Sequence, residues 1–145
     1  MQVLVLLSQF EYHRQYMPEV EQYITALGLD HADIMFRQVD KGSDAYMYAE
    51  DTYFSFTLDL VLTFSQDAFE AVVGGEPSLR IGPALGKPIW SENFPGVMVF
   101  GFYPLKYMRG NPAKRREMRG YLKAAHRRIW EDCEVFEYKE DDFVY

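Results

Sequence analysis

The chain has 145 residues, 48% of them hydrophobic, with 15 basic against 22 acidic side chains for a net charge of −7. That length supports one well-built core and is short for two, and the composition excludes bulk disorder. The acidic balance argues against a protein that coats nucleic acid indiscriminately.

Gln2 to Leu7 reads as a buried strand, apolar on both sides and too short for a helix. Pro18 suits the first turn of a helix in which Val20, Tyr23, Ile24 and Leu27 form one face, and Gly28 supplies the stop. Ile34 to Val39 reads as a second strand, Lys41 to Asp51 as a polar loop, and Tyr53 to Leu58 as ambiguous, with a short helix as one option. Leu60 to Phe64 is a third strand. Ser65 then caps a helix through Val73 that Gly74-Gly75 ends. Pro77 to Pro88 reads as a loop and Val97 to Gly101 as a fourth strand. Asn111-Pro112 opens a helix to about Arg128, with Met118, Tyr121, Leu122, Ala125 and Ile129 on its apolar stripe.

Alternation of strands and helices predicts an α/β fold of three layers, a mainly parallel four-stranded sheet with helices on both faces. It assigns 1–130 to a single domain and 131–145 to an acidic, aromatic tail. Ligands of such sheets gather at the carboxyl ends of the strands, here Ser8 to Arg14, Arg37 to Gly42, Phe64 to Gln66 and Gly101 to Arg109.

Charge is unevenly spread. Lys106 to Arg128 holds nine basic residues against Glu117 alone, and Glu131 to Asp142 holds seven acids against Lys139 alone. The first block suits phosphate contacts; the second could neutralise it or dock into a basic groove on a protein partner, an interaction module acting through residues 131–145.

Several chemistries drop out. Gly82-Pro83-Ala84-Leu85-Gly86-Lys87 is one residue short of a phosphate loop, and Pro88 stands where its Ser or Thr belongs. His13, His31 and His126 are too scattered for a local zinc motif. Cys133, the single cysteine, excludes an internal disulfide. Neither a metal nor a cofactor is expected. The longest apolar run, Val3 to Leu7, is far below the ~20 residues that cross a bilayer and lacks the flanks of a signal peptide, so a cytoplasmic setting without membrane contact is expected.

Four stretches carry a likeness. Ser8-Gln9-Phe10-Glu11-Tyr12-His13 lies against a Gly-Gln-Asp-Pro-Tyr-His loop. Ala26-Leu27-Gly28-Leu29-Asp30 through Lys41 lies against a helix–strand pattern ending in an asparagine, at Gln38 here. Leu60 to Gly74 precedes Arg80-Ile81-Gly82, and Tyr103-Pro104-Leu105 to Arg109 lies against His-Pro-Ser-x-x-x-Arg. In this order, over Gln2 to Ile129, the chain resembles the uracil-DNA glycosylase superfamily.

The resemblance implies a compact α/β fold that opens a base pocket onto DNA, with Gln9, Phe10, Tyr12 and Gln38 in the pocket. Lys106, Arg109, Lys114, Arg115, Arg116 and Arg119 would face the nucleic-acid backbone. It also implies erosion. Phe10 replaces the water-activating aspartate, Tyr103 the histidine that stabilises the leaving base, and Leu105 a phosphate-pinching serine. Loss of one such donor costs on the order of 100- to 1,000-fold in analogous enzymes. Glu11 and Tyr103 are the substitute catalytic candidates. The expected function is a nucleic-acid or base-binding accessory with weak, salt-dependent affinity for DNA; the alternative is an active glycosylase using Glu11 or Tyr103 in altered roles.

Overall fold

A computed structural model describes residues 1–13, 15–75 and 80–130. The elements run β1 (Gln2–Leu7), α1 (Met17–Ala26), β2 (Asp33–Gln38), α2 (Gly42–Ser55), β3 (Leu60–Thr63), α3 (Gln66–Val73), β4 (Ile89–Trp90), β5 (Met98–Gly101), α4 (Leu105–Met108) and α5 (Pro112–Trp130). The sheet order is β2-β1-β3-β5-β4, with the first four strands parallel and β4 antiparallel at the edge. The sheet therefore has five strands rather than the four expected. The extra one pairs only Ile89 with Val99 and Trp90 with Met98, too short a run to show a two-residue period.

β1 lies between β2 and β3, which explains its unbroken apolar sequence: both faces are covered. Val3, Val5 and Leu7 point to one core with α1 and α5, where Val20, Ile24, Leu27, Met118, Leu122 and Ala125 pack. Leu4 and Leu6 point to the other, with Ala45 and Ala49 of α2 and Ala68, Phe69, Val72 and Val73 of α3. One strand thus divides its side chains between two cores by simple alternation.

Local signals account for the helix ends. The Ser65 hydroxyl accepts from the Ala68 amide at 3.2 Å, capping α3 as its sequence predicts. The Asn111 side chain does the same for Lys114 at α5. Gly28 ends α1 at φ 72°, and a Cβ there would lie 2.8 Å from Trp130 Nε1, which donates to the Leu27 carbonyl.

The stretch expected as a polar loop, Lys41 to Asp51, is instead most of α2. Its buried positions are Ala45, Ala49 and Thr52, a helical spacing written in residues too small to raise a hydrophobic signal. Tyr53 to Ser55 completes that helix. The described part of the expected loop from Pro77 to Pro88 contains a single 3₁₀ turn at Gly82–Ala84. Among the described residues no helix is long and apolar enough to cross a membrane.

Candidate functional site

A cleft of about 290 Å³ opens at the carboxyl ends of the parallel strands. Sheet connectivity puts it there: the chain leaves β1 toward β2 and returns past it to β3, so the loops after β1 and β3 diverge and leave a crevice between them. Ser8, Gln9 and Phe10 form the wall after β1, and Phe64, Ser65, Asp67 and Ala68 the wall after β3. Val39, Asp40 and Lys41 close the β2 side, and Pro104 and Lys106 the β5 side. The β1–β2 ladder extends one step further through Val39 N–H to the Leu7 carbonyl at 2.7 Å, which sets Asp40 at the cleft mouth. The volume lies at the small end of the roughly 300–1,000 Å³ of ligand clefts. Its two acids and two lysines balance in formal charge, which suits a neutral polar ligand better than a free phosphate.

Of the residues singled out from sequence, Gln9, Phe10 and Lys106 meet in this cleft. The Phe10 ring also stacks on Tyr16, centroids 4.2 Å apart, which holds it against the wall.

Glu11 does not line the cleft. It is 1% exposed and points inward, one carboxylate oxygen accepting from Ser8 N–H at 2.9 Å and Ser8 Oγ at 2.8 Å, the other from Leu105 N–H at 2.8 Å. With both oxygens so engaged, the carboxylate is placed to hold backbone rather than to meet a sugar or a water. A turn closed by Tyr12 N–H on the Ser8 carbonyl at 2.9 Å drives it inside.

Tyr12 and Gln38 are also outside the cleft lining, both solvent-exposed; Gln38 ends the edge strand β2. Tyr103 turns toward α5, where its hydroxyl donates to Glu117 Oε2 at 2.9 Å and its ring packs on Tyr107 and Tyr121. Burial and then that hydrogen bond hold the Tyr103 phenol well above its ordinary range, while the same bond and one from Lys114 hold the Glu117 carboxyl below its own. Tyr103 is therefore engaged away from the cleft in this structure.

The cationic residues separate into two groups. Lys114 pairs with Glu117 at 3.2 Å and lies over the Tyr103 and Tyr107 rings. Arg115 pairs with Glu19 of α1, an acceptor shared with the Tyr23 hydroxyl. Lys106, Arg109, Arg116 and Arg119 are exposed and have no ion-pair partner among the described residues. Helix geometry explains the division. At 100° per residue Arg116, Arg119, Lys123 and Arg127 centre on a line roughly 150° from the apolar stripe, whereas Lys114 falls within the arc of that stripe and Arg115 at its edge, where both meet neighbouring elements.

Of the other cleft residues, Asp40, Lys41 and Ser65 lie in the strand-end segments expected to gather ligands without being named as site residues, and Asp67 lies just beyond them. Their position directly after a strand or at a helix start was the available signal. The acidic tail, including Cys133, lies outside the described residues. No protein-family model matches the chain, and no curated protein matches it.

Proposed function

We propose that the chain is a nucleic-acid- or base-binding accessory built on a scaffold of uracil-DNA glycosylase type, with its standard excision apparatus eroded. The observation that carries this reading is the cleft wall at Phe10: an aromatic ring stands where the resemblance calls for a water-activating carboxylate. The ring gives a flat surface for a base but can neither orient water nor offset positive charge on a sugar. The parallel strand order, the charge-balanced cleft and the cations Lys106, Arg109, Arg116 and Arg119, which have no ion-pair partner among the described residues, support it further. The test is a uracil-containing single-stranded oligonucleotide, followed by fluorescence anisotropy at low ionic strength and by assay of released base. Binding without release is expected, and no binding at low salt removes the reading.

One observation favours a second reading, an active glycosylase with altered groups. Asp40 and Asp67 put carboxylates on the cleft that sequence comparison did not single out. Release of uracil that Asp40→Asn or Asp67→Asn abolishes would establish it in place of the first.

A further inference from the structure

We infer that Glu11 is a positioning residue, the clasp that ties the loop after β1 to the start of α4 and so fixes the spacing of Gln9 and Phe10 from Lys106 across the cleft. The contact spans 94 positions of sequence. It joins the two walls that no shared element connects, since α4 follows β5 and the other wall follows β1.

The need for it follows from the backbone. Pro104 has no N–H, so the first amide of α4 belongs to Leu105, which is 2% exposed and cannot turn to water. Left alone, a buried amide of this kind is costly; Glu11 satisfies it. The carboxylate in turn is buried with no cation beside it among the described residues, and is held by three donors, Ser8 N–H, Ser8 Oγ–H and Leu105 N–H. Each half of the clasp thus requires the other. Three donors converging on two oxygens also explain why a carboxylate stands here and an amide would not serve. The carboxamide of Glu11→Gln offers a single acceptor oxygen, and its NH₂ would face either the Leu105 or the Ser8 amide, donor against donor. One wall would come loose.

The clasp stands independently of any ligand; its consequence for ligand binding rests on the base-binding reading above, and the experiment separates the two. Amide exchange is followed by NMR in the full chain. In Glu11→Gln the Leu105 amide should exchange roughly 10- to 100-fold faster, the scale of one hydrogen bond to a charged group, while Val5 in β1 keeps its protection. Ser8→Ala, which removes one donor and leaves the Leu105 link, should give the same selective pattern more weakly, and it decides the matter if the Gln variant does not fold. Free uracil is the ligand probe. Its affinity should fall about tenfold in Glu11→Gln, and Glu11→Gln should cost little further when Lys106→Ala is already present, because the wall it holds no longer carries the contact. A general structural role would cost the same in both backgrounds. Unchanged Leu105 exchange, equal loss of protection at Leu105 and Val5, or full additivity with Lys106→Ala would each overturn the inference. Absence of uracil binding in the unmodified chain would instead remove the base-binding reading and leave the clasp to be judged by exchange alone.

Discussion

Two arginines adjacent in sequence should behave oppositely in a salt titration. Arg115 is engaged by Glu19, whereas Arg116 is exposed with no ion-pair partner among the described residues. Of the six cations expected on the nucleic-acid backbone, four are in the second condition: Lys106, Arg109, Arg116 and Arg119. Each phosphate neutralised contributes about −0.7 to the slope of log affinity against log salt for a single strand. Four contacts then give a slope of roughly −2.8, or a loss of about 50-fold between 50 and 200 mM salt. Arg116→Ala should flatten the slope by about 0.7, and Arg115→Ala should barely change it. Glu19→Gln should steepen it by about the same amount, since it frees the Arg115 guanidinium for a phosphate. The assay is anisotropy of a labelled single strand over a salt series. Equal flattening by the two alanine variants, or a slope weaker than about −1 in the unmodified chain, would refute the assignment of phosphate contacts to unpaired cations.

Ser65→Ala removes the one side-chain cap of α3 and should destabilise the domain by about 1 kcal/mol, a fall of roughly 2–4 °C in a calorimetric melt. An unchanged melting temperature would show that the cap contributes nothing here. Tyr23 and Tyr103 should ionise above the ordinary value of 10.0, because burial and acidic hydrogen-bond partners disfavour both phenolates. A raised value in the fold means that their contribution to stability is full below 10.0 and is lost as pH rises through the folded value. Glu117 has the opposite sign: its contribution is present above the ordinary carboxylate value of 4.5 and disappears as pH falls through the lower folded value. A tyrosinate absorbance titration of the chain and of Tyr103→Phe checks the phenols. A single transition near the ordinary value, unaltered by the substitution, would contradict the Tyr103–Glu117 contact.

What was legible in the sequence is what depends on neighbours along the chain. β1 appears in full because five consecutive apolar residues fit no other short element. α3 and α5 are marked by their caps, Ser65 and Asn111. α2 was illegible because its contact with α3 is made through small residues: a Cβ on Gly42 would lie 3.2 Å from the Asp67 carbonyl, and the face continues with Ala45 and Ala49. β4 exists only as the partner of β5 and has no pattern of its own. The cleft could be placed at the strand ends in advance, as a property of parallel sheets. The direction of individual side chains could not, because a loop has no fixed period. Glu11 points inward through Ser8 and Leu105 N–H, and Tyr103 toward α5 through Glu117; the links to Leu105 and Glu117 are ones that no local spacing encodes.

The loop after β1 inverts the usual preference for burial. A chain optimised only for stability would bury the Phe10 ring and leave the Glu11 carboxylate in water; here the ring lines the cleft and the carboxylate is enclosed. An enclosed carboxylate with no cation beside it among the described residues costs several kcal/mol unless donors replace its hydration, and three are supplied. Such an arrangement is stable only while the loop keeps one conformation, because a shift that released any donor would restore part of that penalty. The buried carboxylate therefore holds the cleft wall in one arrangement, and the half-buried ring makes part of that wall apolar. Both properties would serve the proposed binding of a flat ligand, and neither would help to activate water.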